Sequence, residues 1–389
     1  MWFAATPAVL VSRAAGVVDS ATNDPVVLGG LVAAVLVLGL AGWVGLKRLR
    51  RTEGEKFLRA IRKNDAVSIL LHPNPDPDAM ASGMAVAQLC RHAGVDATLQ
   101  FPGEIRHQEN RAFRTVLDLD AEHIETAADL AGDAVVLVDH NTPRGFQGSQ
   151  GVEPYAVVDH HPGNGTGTAF TDIRTDYGAC ATILAEYFDD LDASVGNGNG
   201  DGVSLPPRTA TGMVYGIQSD TNHLTKGCSS AEFSASSYLY PGVNEDLLDR
   251  IANPQVPREV LKTKAKAIHE VDVDGPFGVC DLGAIPNVDA IPQAADELMH
   301  LEGVSAVVVY GEKDGTIHMS GRSRDDRLHM GEALRTVVAD IPMAEAGGHA
   351  RMGGGQISKD HMEGLGPSKG VSRDQFKQRL FEALAGERQ

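Results

Sequence analysis

Several short stretches of this 389-residue chain place His and Asp residues at spacings that suit the binding of divalent metal ions. The first, HPNPDPD, begins at His72 and carries Asp76 and Asp78 with prolines between them. Proline fixes its own φ and favours an extended conformation in the residue before it, so both carboxylates are expected on a stiff extended loop. Carboxylate and imidazole groups together suit ions such as Mn²⁺. The alternative interpretation is an ordinary turn in which Asp78 caps the next helix.

Three further stretches end apolar runs with the same residue types. They are VLVDHN with Asp139, VVDHHP with Asp159, His160 and His161, and QSDTNH with Asp220 and His223. Each one alone is explained by polar residues that close a strand or a helix. Together with the first stretch they indicate a metal site, because the carboxyl ends of parallel strands gather ligands at one edge of a sheet.

The spacing of apolar residues predicts the elements that position these side chains. Buried strands are expected at residues 66–71, 134–139 and 155–160, and a helix at residues 79–92. Strands that alternate with helices predict a parallel α/β sheet. A Gly/Asn-rich surface loop is expected at 195–207, and a helix at 258–269 leads out of the domain. The runs FGVCDL, AVVVYG and TIHMSGR predict strands of a second, smaller domain.

The ordered set H-x-x-x-D-x-D, D-H-N, D-H-H-P and S-D-T resembles the DHH phosphoesterases. This superfamily includes RecJ-type exonucleases, nano-RNases that also act on adenosine bisphosphate, and cyclic di-AMP phosphodiesterases. The resemblance extends from about residue 55 to the C-terminus. It implies an α/β architecture with a parallel-sheet catalytic domain, expected at 47–255, and a smaller α/β DHH-associated substrate-binding domain, expected at 270–389.

The resemblance also implies the ligands of two ions. It assigns His72, Asp76 and Asp139 to one ion, and Asp78, Asp139, His160 and Asp220 to the other, with Asp139 bridging. Mn²⁺ is the expected ion, with Mg²⁺ or Co²⁺ as alternatives. Two ions about 3.5–4 Å apart can share a water and make it a nucleophile at neutral pH. His161 is expected to contact the substrate phosphate or to orient a ligand.

Two stretches near the C-terminus resemble the substrate-binding signatures of the DHH-associated domain. They are SGRS, with Arg322 and Ser323, and GGHARMGGGQI, with Gly347, Gly348 and His349. Glycine lets backbone N–H groups approach a phosphate closely, and Arg suits a forked grip on its oxygens. A Gly-rich turn beside a surface Arg is the alternative. Arg351 and Met352 stand where small residues are common in the family, which leaves the fit of the substrate open.

The excess of acidic residues limits the kinds of substrate that the protein could bind. The chain has 52 acidic and 34 basic residues, a net charge of -18, and this surface would repel a long nucleic-acid duplex. A small anionic substrate remains compatible because bound ions reverse the local field. The acidic surface also suits a halophilic protein in concentrated salt. The four cysteines form no C-x-x-C pair, so a zinc ribbon and a redox motif are excluded and reduced thiols are expected.

A run of 21 uncharged residues at 26–46 is long enough to span a bilayer as a helix. Trp43 lies near one end, and the basic segment KRLRR follows at 47–51. The positive-inside bias places the first 25 residues outside the cell and the remaining chain in the cytoplasm. A buried core helix would carry polar residues on one face, and a signal peptide would carry its charges before the run. We therefore expect a single-pass membrane anchor.

The expected activity is hydrolysis of short nucleotide phosphodiesters by a metal-bridging hydroxide. The substrate would be a cyclic dinucleotide, a short oligonucleotide or adenosine bisphosphate, and the resemblance also allows a homodimer. A RecJ-like single-strand exonuclease is one alternative. A membrane-bound nucleotide sensor without turnover is another, but a sensor could have lost carboxylates, and all six implied metal ligands are present.

Overall fold

A computed structural model describes residue 30, residues 33–34, 36–38, 51–105, 107–196, 202–364 and 370–387. The chain divides into two compact units. The first extends to Ala252 without His107–Glu109, and the second takes these three residues together with Asn253–Gln389. The second unit therefore starts before residue 270, where the sequence placed it, and includes the helix expected to lead out of the first domain.

The first unit is built on a six-stranded parallel sheet with the order β3-β2-β1-β4-β5-β6. Its strands are β1 Ala66–Leu70, β2 Asp96–Pro102, β3 Glu122–Ile124, β4 Ala134–Val138, β5 Ala156–Asp159 and β6 Phe170–Ile173. Two short strands, β7 Ser194–Val195 and β8 Ser204–Leu205, pair separately. The helices are α1 Glu53–Ile61, α2 Pro77–Ala93, α3 Gln108–Val116, α4 Cys180–Asp190, α5 Pro207–Asp220, α6 Ser230–Leu239 and α7 Glu245–Ala252. The predicted parallel α/β sheet is confirmed.

Alternate residues of the central strands serve two cores, because successive side chains of a strand point to opposite faces. Val136 and Val138 of β4 pack in the large core with α2, α4 and α5, whereas Val135 and Leu137 pack in a smaller core on the other face. All five residues of β4 are buried. Burial on both faces explains why these strands appear in the sequence as continuous apolar runs.

The second unit is a mixed sheet with helices on both faces. Its strand order is β13-β14-β12-β11-β10-β9, in which only the β10–β11 pair is parallel. The strands are β9 Asp272–Asp274, β10 Phe277–Ala284, β11 Ala306–Lys313, β12 Thr316–Ser323, β13 Ala344–Gly348 and β14 Met352–Ser358. The helices are α8 Arg258–Glu270, α9 Ala290–Leu298, α10 Met330–Val338, α11 Lys359–Met362 and α12 Arg373–Leu384. This unit is the predicted second, smaller α/β domain.

Of the predicted anchor at residues 26–46, only residue 30 and residues 33–34 and 36–38 are described, and these are helical and exposed. Within the described part of the chain, no helix is both long and apolar enough to cross a membrane. The prediction of an anchor concerns a segment that lies mostly outside the described residues. All four cysteines are free, as expected.

Candidate metal centre

The six predicted metal ligands converge at one edge of the first unit's sheet. His72 follows β1, Asp139 follows β4, and His160 follows β5. Asp76 and Asp78 lie at the start of α2, and Asp220 is the last residue of α5, so two helices complete the set. The strand ends and the helix ends meet because the sheet is parallel and both helices pack on the same face of it.

Donor atoms from these residues form overlapping groups in which all atoms lie within 4.8 Å of one another. The groups are His72, Asp76 and Asp139; then Asp78, Asp139, His160 and Asp220; then Asp139, His160 and His161. The first two are the sets that the sequence assigned to two ions. Asp139 belongs to all three groups, as a bridging carboxylate would.

The distances at Asp139 place an imidazole beside each of its carboxylate oxygens. His72 Nε2 lies 3.4 Å from Asp139 Oδ2, and His160 Nε2 lies 3.2 Å from Asp139 Oδ1. His72 Nε2 is also 3.4 Å from Asp76 Oδ2, and His160 Nε2 is 3.4 Å from Asp220 Oδ2. Each oxygen of the Asp139 carboxylate therefore lies beside a different histidine, and each of these histidines lies beside a second carboxylate.

Asp139 is an unusual buried residue. Its side chain is 1% exposed, its backbone has φ 61°, and neither carboxylate oxygen has an aligned hydrogen-bond donor in the described residues. Buried carboxylates normally accept hydrogen bonds, because an unpaired one is costly to desolvate. His160 Nε2 is likewise buried without a hydrogen bond. Oxygen and nitrogen donors that converge without bonding one another fit divalent cations, so the residues present suit Mn²⁺.

Backbone carbonyls orient both histidines. His72 Nδ1 lies 3.0 Å from the Pro73 carbonyl, and His160 Nδ1 lies 3.2 Å from the Tyr177 carbonyl. An Nδ1–H that donates to a carbonyl leaves Nε2 as the atom with a lone pair for a metal ion. The neighbouring His140 donates in the same way to Val138, but it is 1% exposed and belongs to none of the ligand groups.

The carboxylates of the site set the pKa values of its histidines. Burial lowers the pKa of His72, but the neighbouring carboxylates of Asp139 and Asp76 outweigh burial and raise it to about 10. Burial likewise lowers the pKa of His160, and Asp139 and Asp220 raise it to about 11. Burial raises the pKa of Asp220 to about 6. A bound divalent ion would lower these pKa values, because histidine and aspartate must be deprotonated to bind it.

Asp78 also caps the start of α4, a role that was not predicted from the sequence. Its oxygens accept hydrogen bonds from the backbone N–H groups of Cys180 at 2.6 Å and Ala181 at 3.0 Å, at the start of α4. The N-cap of α4, Ala179, has no side chain that could cap, so the carboxylate of Asp78, 102 residues before Cys180, does so. Burial raises the pKa of Asp78 well above its usual range. These amides hold a residue of the second ligand group in place.

The predicted cap of α2 needs a correction. Asp76, not Asp78, is the N-cap: its Oδ1 accepts from the Ala79 N–H at 3.0 Å. The extended Asp76 directs one oxygen to the helix and the other to His72, whereas Asp78 lies inside the first turn. Because each carboxylate holds a different helix end, capping and metal binding are compatible here.

His161 lies at the open side of the site, and a buried network holds it. Its side chain is 52% exposed, while its backbone N–H and Nδ1 both lie 3.0 Å from Asp159 Oδ1. Asn141 Nδ2 donates to the other Asp159 oxygen at 2.6 Å. The Asp159 carboxylate raises the pKa of His161. The sequence assigned no role to Asp159 or Asn141, although both stand within the quoted motifs.

His223 is not part of any ligand group among the described residues. It is exposed on a turn where Asn222, His223 and Leu224 all have positive φ, directly after α5. His223 therefore lies outside the candidate ligand groups, although it is only three residues after Asp220 in the sequence.

The predicted substrate-binding residues belong to the second unit. Arg322 donates to Asp296 at 2.6 Å and to the Ser320 hydroxyl at 2.8 Å, and Ser323 Oγ bonds within its own loop. Gly347 and Gly348 end β13, in the hairpin that β13 forms with β14. A Cβ at Gly331 would lie 2.4 Å from the Gly348 carbonyl, so this hairpin packs tightly on α10. His349, Arg351 and Met352 are exposed at the turn.

Two family models match the chain. Residues 66–217 match the DHH family, N-terminal domain, and residues 274–366 match the DHHA1 domain. Each match lies within one of the two compact units apart from His107–Glu109. The first contains every candidate ligand except Asp220.

The chain is 32% identical to an uncharacterised protein of Methanocaldococcus jannaschii, over 86% of this chain and 64% of that protein. It is 30% and 34% identical to probable manganese-dependent inorganic pyrophosphatases of Lactiplantibacillus plantarum and Streptococcus mutans, over 39% of this chain and 46% of each of theirs. The chain thus spans less than two thirds of the length of these relatives.

A solved structure resembles the chain in fold. It is an exopolyphosphatase-related protein from Bacteroides fragilis, with a TM-score of 0.59 and 14% identity, over 86% of this chain and 96% of that one. At this identity the likeness shows a shared fold.

Proposed function

We propose that this chain is a metal-dependent phosphoesterase of the DHH family, because residues 66–217 match the DHH family, N-terminal domain, and residues 274–366 match the DHHA1 domain. Two divalent ions, Mn²⁺ by preference, would be held by the two ligand groups that share Asp139. The substrate would be a short nucleotide phosphodiester: a cyclic dinucleotide, a short oligonucleotide or adenosine bisphosphate.

The observation that carries this proposal is the buried, unpaired carboxylate of Asp139 between two histidines. A structural ion pair would be expected to align its hydrogen bonds, whereas these donors point to a common space. The names of the two pyrophosphatase relatives, which specify manganese, support the choice of ion.

When bound, the ions would activate a water and stabilise the negative charge that develops on the phosphate. The protein's own contribution is to position the reacting groups. The network of Asn141 and Asp159 holds His161 through Nδ1, so its Nε2 is available to donate a hydrogen bond to a phosphate oxygen. The carboxylate of Asp159 favours the protonated imidazole that such a contact needs.

Hydrolysis of inorganic pyrophosphate is a second candidate, favoured by the names of two relatives. Those matches span only 39% of this chain. The DHHA1 domain and its exposed Gly-rich hairpin favour a nucleotide instead, since the pyrophosphatase branch of the family carries a different C-terminal domain. Arg322, which is tied to Asp296, would have to exchange that partner for a phosphate in order to act as the predicted clamp.

The test is a cleavage assay of the full chain in detergent and high salt, with Mn²⁺ and with a chelator. The substrates are cyclic di-AMP, a linear diadenylate, a pentanucleotide, adenosine bisphosphate and pyrophosphate. Metal-dependent turnover of a nucleotide, absent in Asp139→Asn, supports the proposal. Turnover of pyrophosphate alone supports the second candidate. A folded protein that binds Mn²⁺ but cleaves none of them would contradict both and support a nucleotide sensor.

We also propose that residues 26–46 anchor the protein in the cell membrane, with the catalytic unit on the cytoplasmic side. The support is the uncharged run followed by Lys47, Arg48, Arg50 and Arg51. The full chain is expected in the membrane fraction after a wash at high salt. A variant that lacks residues 1–46 is expected in the soluble fraction, and its recovery with the membranes would contradict the anchor.

A further inference from the structure

A basic pocket lies in the first unit, away from the candidate metal ligands. It has a volume of about 650 Å³. Three arginines and one histidine line it, with one carboxylate and four apolar or small residues. They are Arg51, Arg59, Arg62 and His92; Glu55; and Leu58, Leu191, Gly202 and Val203. We call this set the basic pocket.

The helical repeat of α1 brings the charged side chains together. Glu55, Arg59 and Arg62 are four and three residues apart, a spacing that places them on one face of the helix. His92, near the end of α2, lies opposite, with its Nε2 3.4 Å from the Arg62 guanidinium. Partial burial and the charge of Arg62 together lower the pKa of His92. The neutral imidazole of His92 therefore leaves the positive charge of the basic pocket to its three arginines.

The arginines are available to an anion. Within the described residues, Arg51, Arg59 and Arg62 form no ion pair with a carboxylate, although Glu55 lies among them. By contrast, Lys56 on the same helix is paired with Glu53 at 2.6 Å. The chain has a net charge of -18, yet these three guanidinium groups line one depression without an ion pair to a carboxylate. Arg forms bidentate hydrogen bonds to phosphate, so phosphate is the anion that these groups suit.

The floor of the basic pocket is apolar. Leu58 and Val203 are 5% and 6% exposed, and Leu191 is partly exposed beside them. An apolar floor under a cationic rim suits a ligand with a phosphate and a hydrocarbon part. Arg51 is the last residue of the basic segment KRLRR, which follows the uncharged run at 26–46. If residues 26–46 form the proposed anchor, on which this inference rests, Arg51 is only four residues from its end along the chain.

We propose that the basic pocket binds a phosphate group and that an anionic phospholipid headgroup supplies it. The net charge of the protein would repel an anionic bilayer as a whole, so a local cationic pocket is what lets this side of the first unit rest on the lipid surface. The interaction would fix the orientation of the unit at the membrane. It uses none of the residues proposed for hydrolysis.

The test measures binding of short-chain lipids to the full chain in a non-ionic detergent by titration calorimetry. The probes are dihexanoyl phosphatidylglycerol, dihexanoyl phosphatidylcholine and inorganic phosphate. The variant is Arg59→Gln/Arg62→Gln. The matched control, Lys56→Gln/Lys63→Gln, removes two positive charges from the same segment outside the basic pocket. Lys47, Arg48 and Arg50 stay in all proteins, so their contribution cancels.

We expect phosphatidylglycerol to bind the wild type at least tenfold more tightly than phosphatidylcholine. The arginine variant should lose this preference, and the lysine control should keep it within twofold. Equal binding of the two lipids, or an unchanged preference in the arginine variant, would overturn the proposal. Inorganic phosphate that binds as tightly as phosphatidylglycerol would also overturn the lipid source and point to a soluble phosphorylated ligand. Metal-dependent hydrolysis of a soluble substrate, measured on the same samples, tests the proposed function separately and should be equal in all three proteins.

Discussion

Asp159→Asn is the substitution that best separates the positioning of His161 from metal binding. The native carboxylate is fully buried and accepts hydrogen bonds from the His161 N–H and Nδ1 at 3.0 Å and from Asn141 at 2.6 Å. Asparagine has almost the same shape but no charge, and only one of its two ends accepts. Asp159 is in none of the ligand groups, so the variant should still bind Mn²⁺.

The expected loss follows from the bond that is weakened. A hydrogen bond to a charged group contributes about 1.5–3 kcal/mol, so kcat should fall by about ten- to 150-fold if the protonated His161 acts on the phosphate in the transition state. The pKa of His161 should also fall towards its ordinary value, since Asp159 is what raises it. The optimum pH for kcat would then shift downward, because His161 would lose its proton earlier as the pH rises.

A double-mutant cycle gives the decisive readout. Steady-state rates are measured at saturating Mn²⁺ for Asp159→Asn, His161→Gln and the double variant, and the pKa of His161 is followed by NMR. If Asp159 acts through His161, the double variant should be no slower than His161→Gln alone. Weaker Mn²⁺ binding in Asp159→Asn, or a further loss in the double variant, would refute this positioning role.

Further predictions concern the packing and protonation of the ligands. Gly216→Ala places a Cβ 3.0 Å from Asp78 Cα and should cost about 1–3 kcal/mol of stability while weakening Mn²⁺ binding. In the control Gly212→Ala, the added Cβ meets only side-chain atoms, at 3.1 Å or more, so the affinity for Mn²⁺ should be unchanged. Calorimetry measures the stability of both variants, and a titration measures their Mn²⁺ binding. Equal weakening of Mn²⁺ binding in the two variants would contradict the role of the Asp78 contact. Mn²⁺ binding at pH 8 should release protons, because the metal-free protein holds His72 and His160 protonated, with pKa values of about 10 and 11. For the same reason, the affinity for Mn²⁺ should rise as the pH is raised from 8 towards 10. Calorimetry in two buffers of different ionisation enthalpy measures the release, and the same heat in both would contradict it.

Local patterns were sufficient to predict the sheet and the convergence of the ligands. Strands buried on both faces are continuous apolar runs, and a parallel arrangement brings the residues after Leu70, Val138 and Asp159 to one edge. Knowledge of the family supplied the division of the ligands into two sets. Neither inference needed a contact between residues distant in the sequence.

Contacts between distant residues account for what the sequence did not predict. The hydrogen bonds that the start of α4 donates to Asp78 join residues 102 and 103 positions apart, and the Arg322–Asp296 pair joins residues 26 positions apart. The spacing of apolar residues along the chain does not predict such pairs. The cap of α2 was assigned to the wrong aspartate because Asp76 and Asp78 alternate with prolines, and both spacings are compatible with a cap.

We propose that one carboxylate, that of Asp139, serves two metal ions. The most direct test of this proposal is the number of Mn²⁺ ions bound per folded chain, measured by equilibrium dialysis on the wild type, Asp139→Asn and Asp159→Asn. We expect two bound ions for the wild type and for Asp159→Asn, and the loss of tight binding at both positions in Asp139→Asn. An Asp139→Asn protein that still binds one ion with wild-type affinity would show that the two ligand groups are independent and would contradict the shared carboxylate.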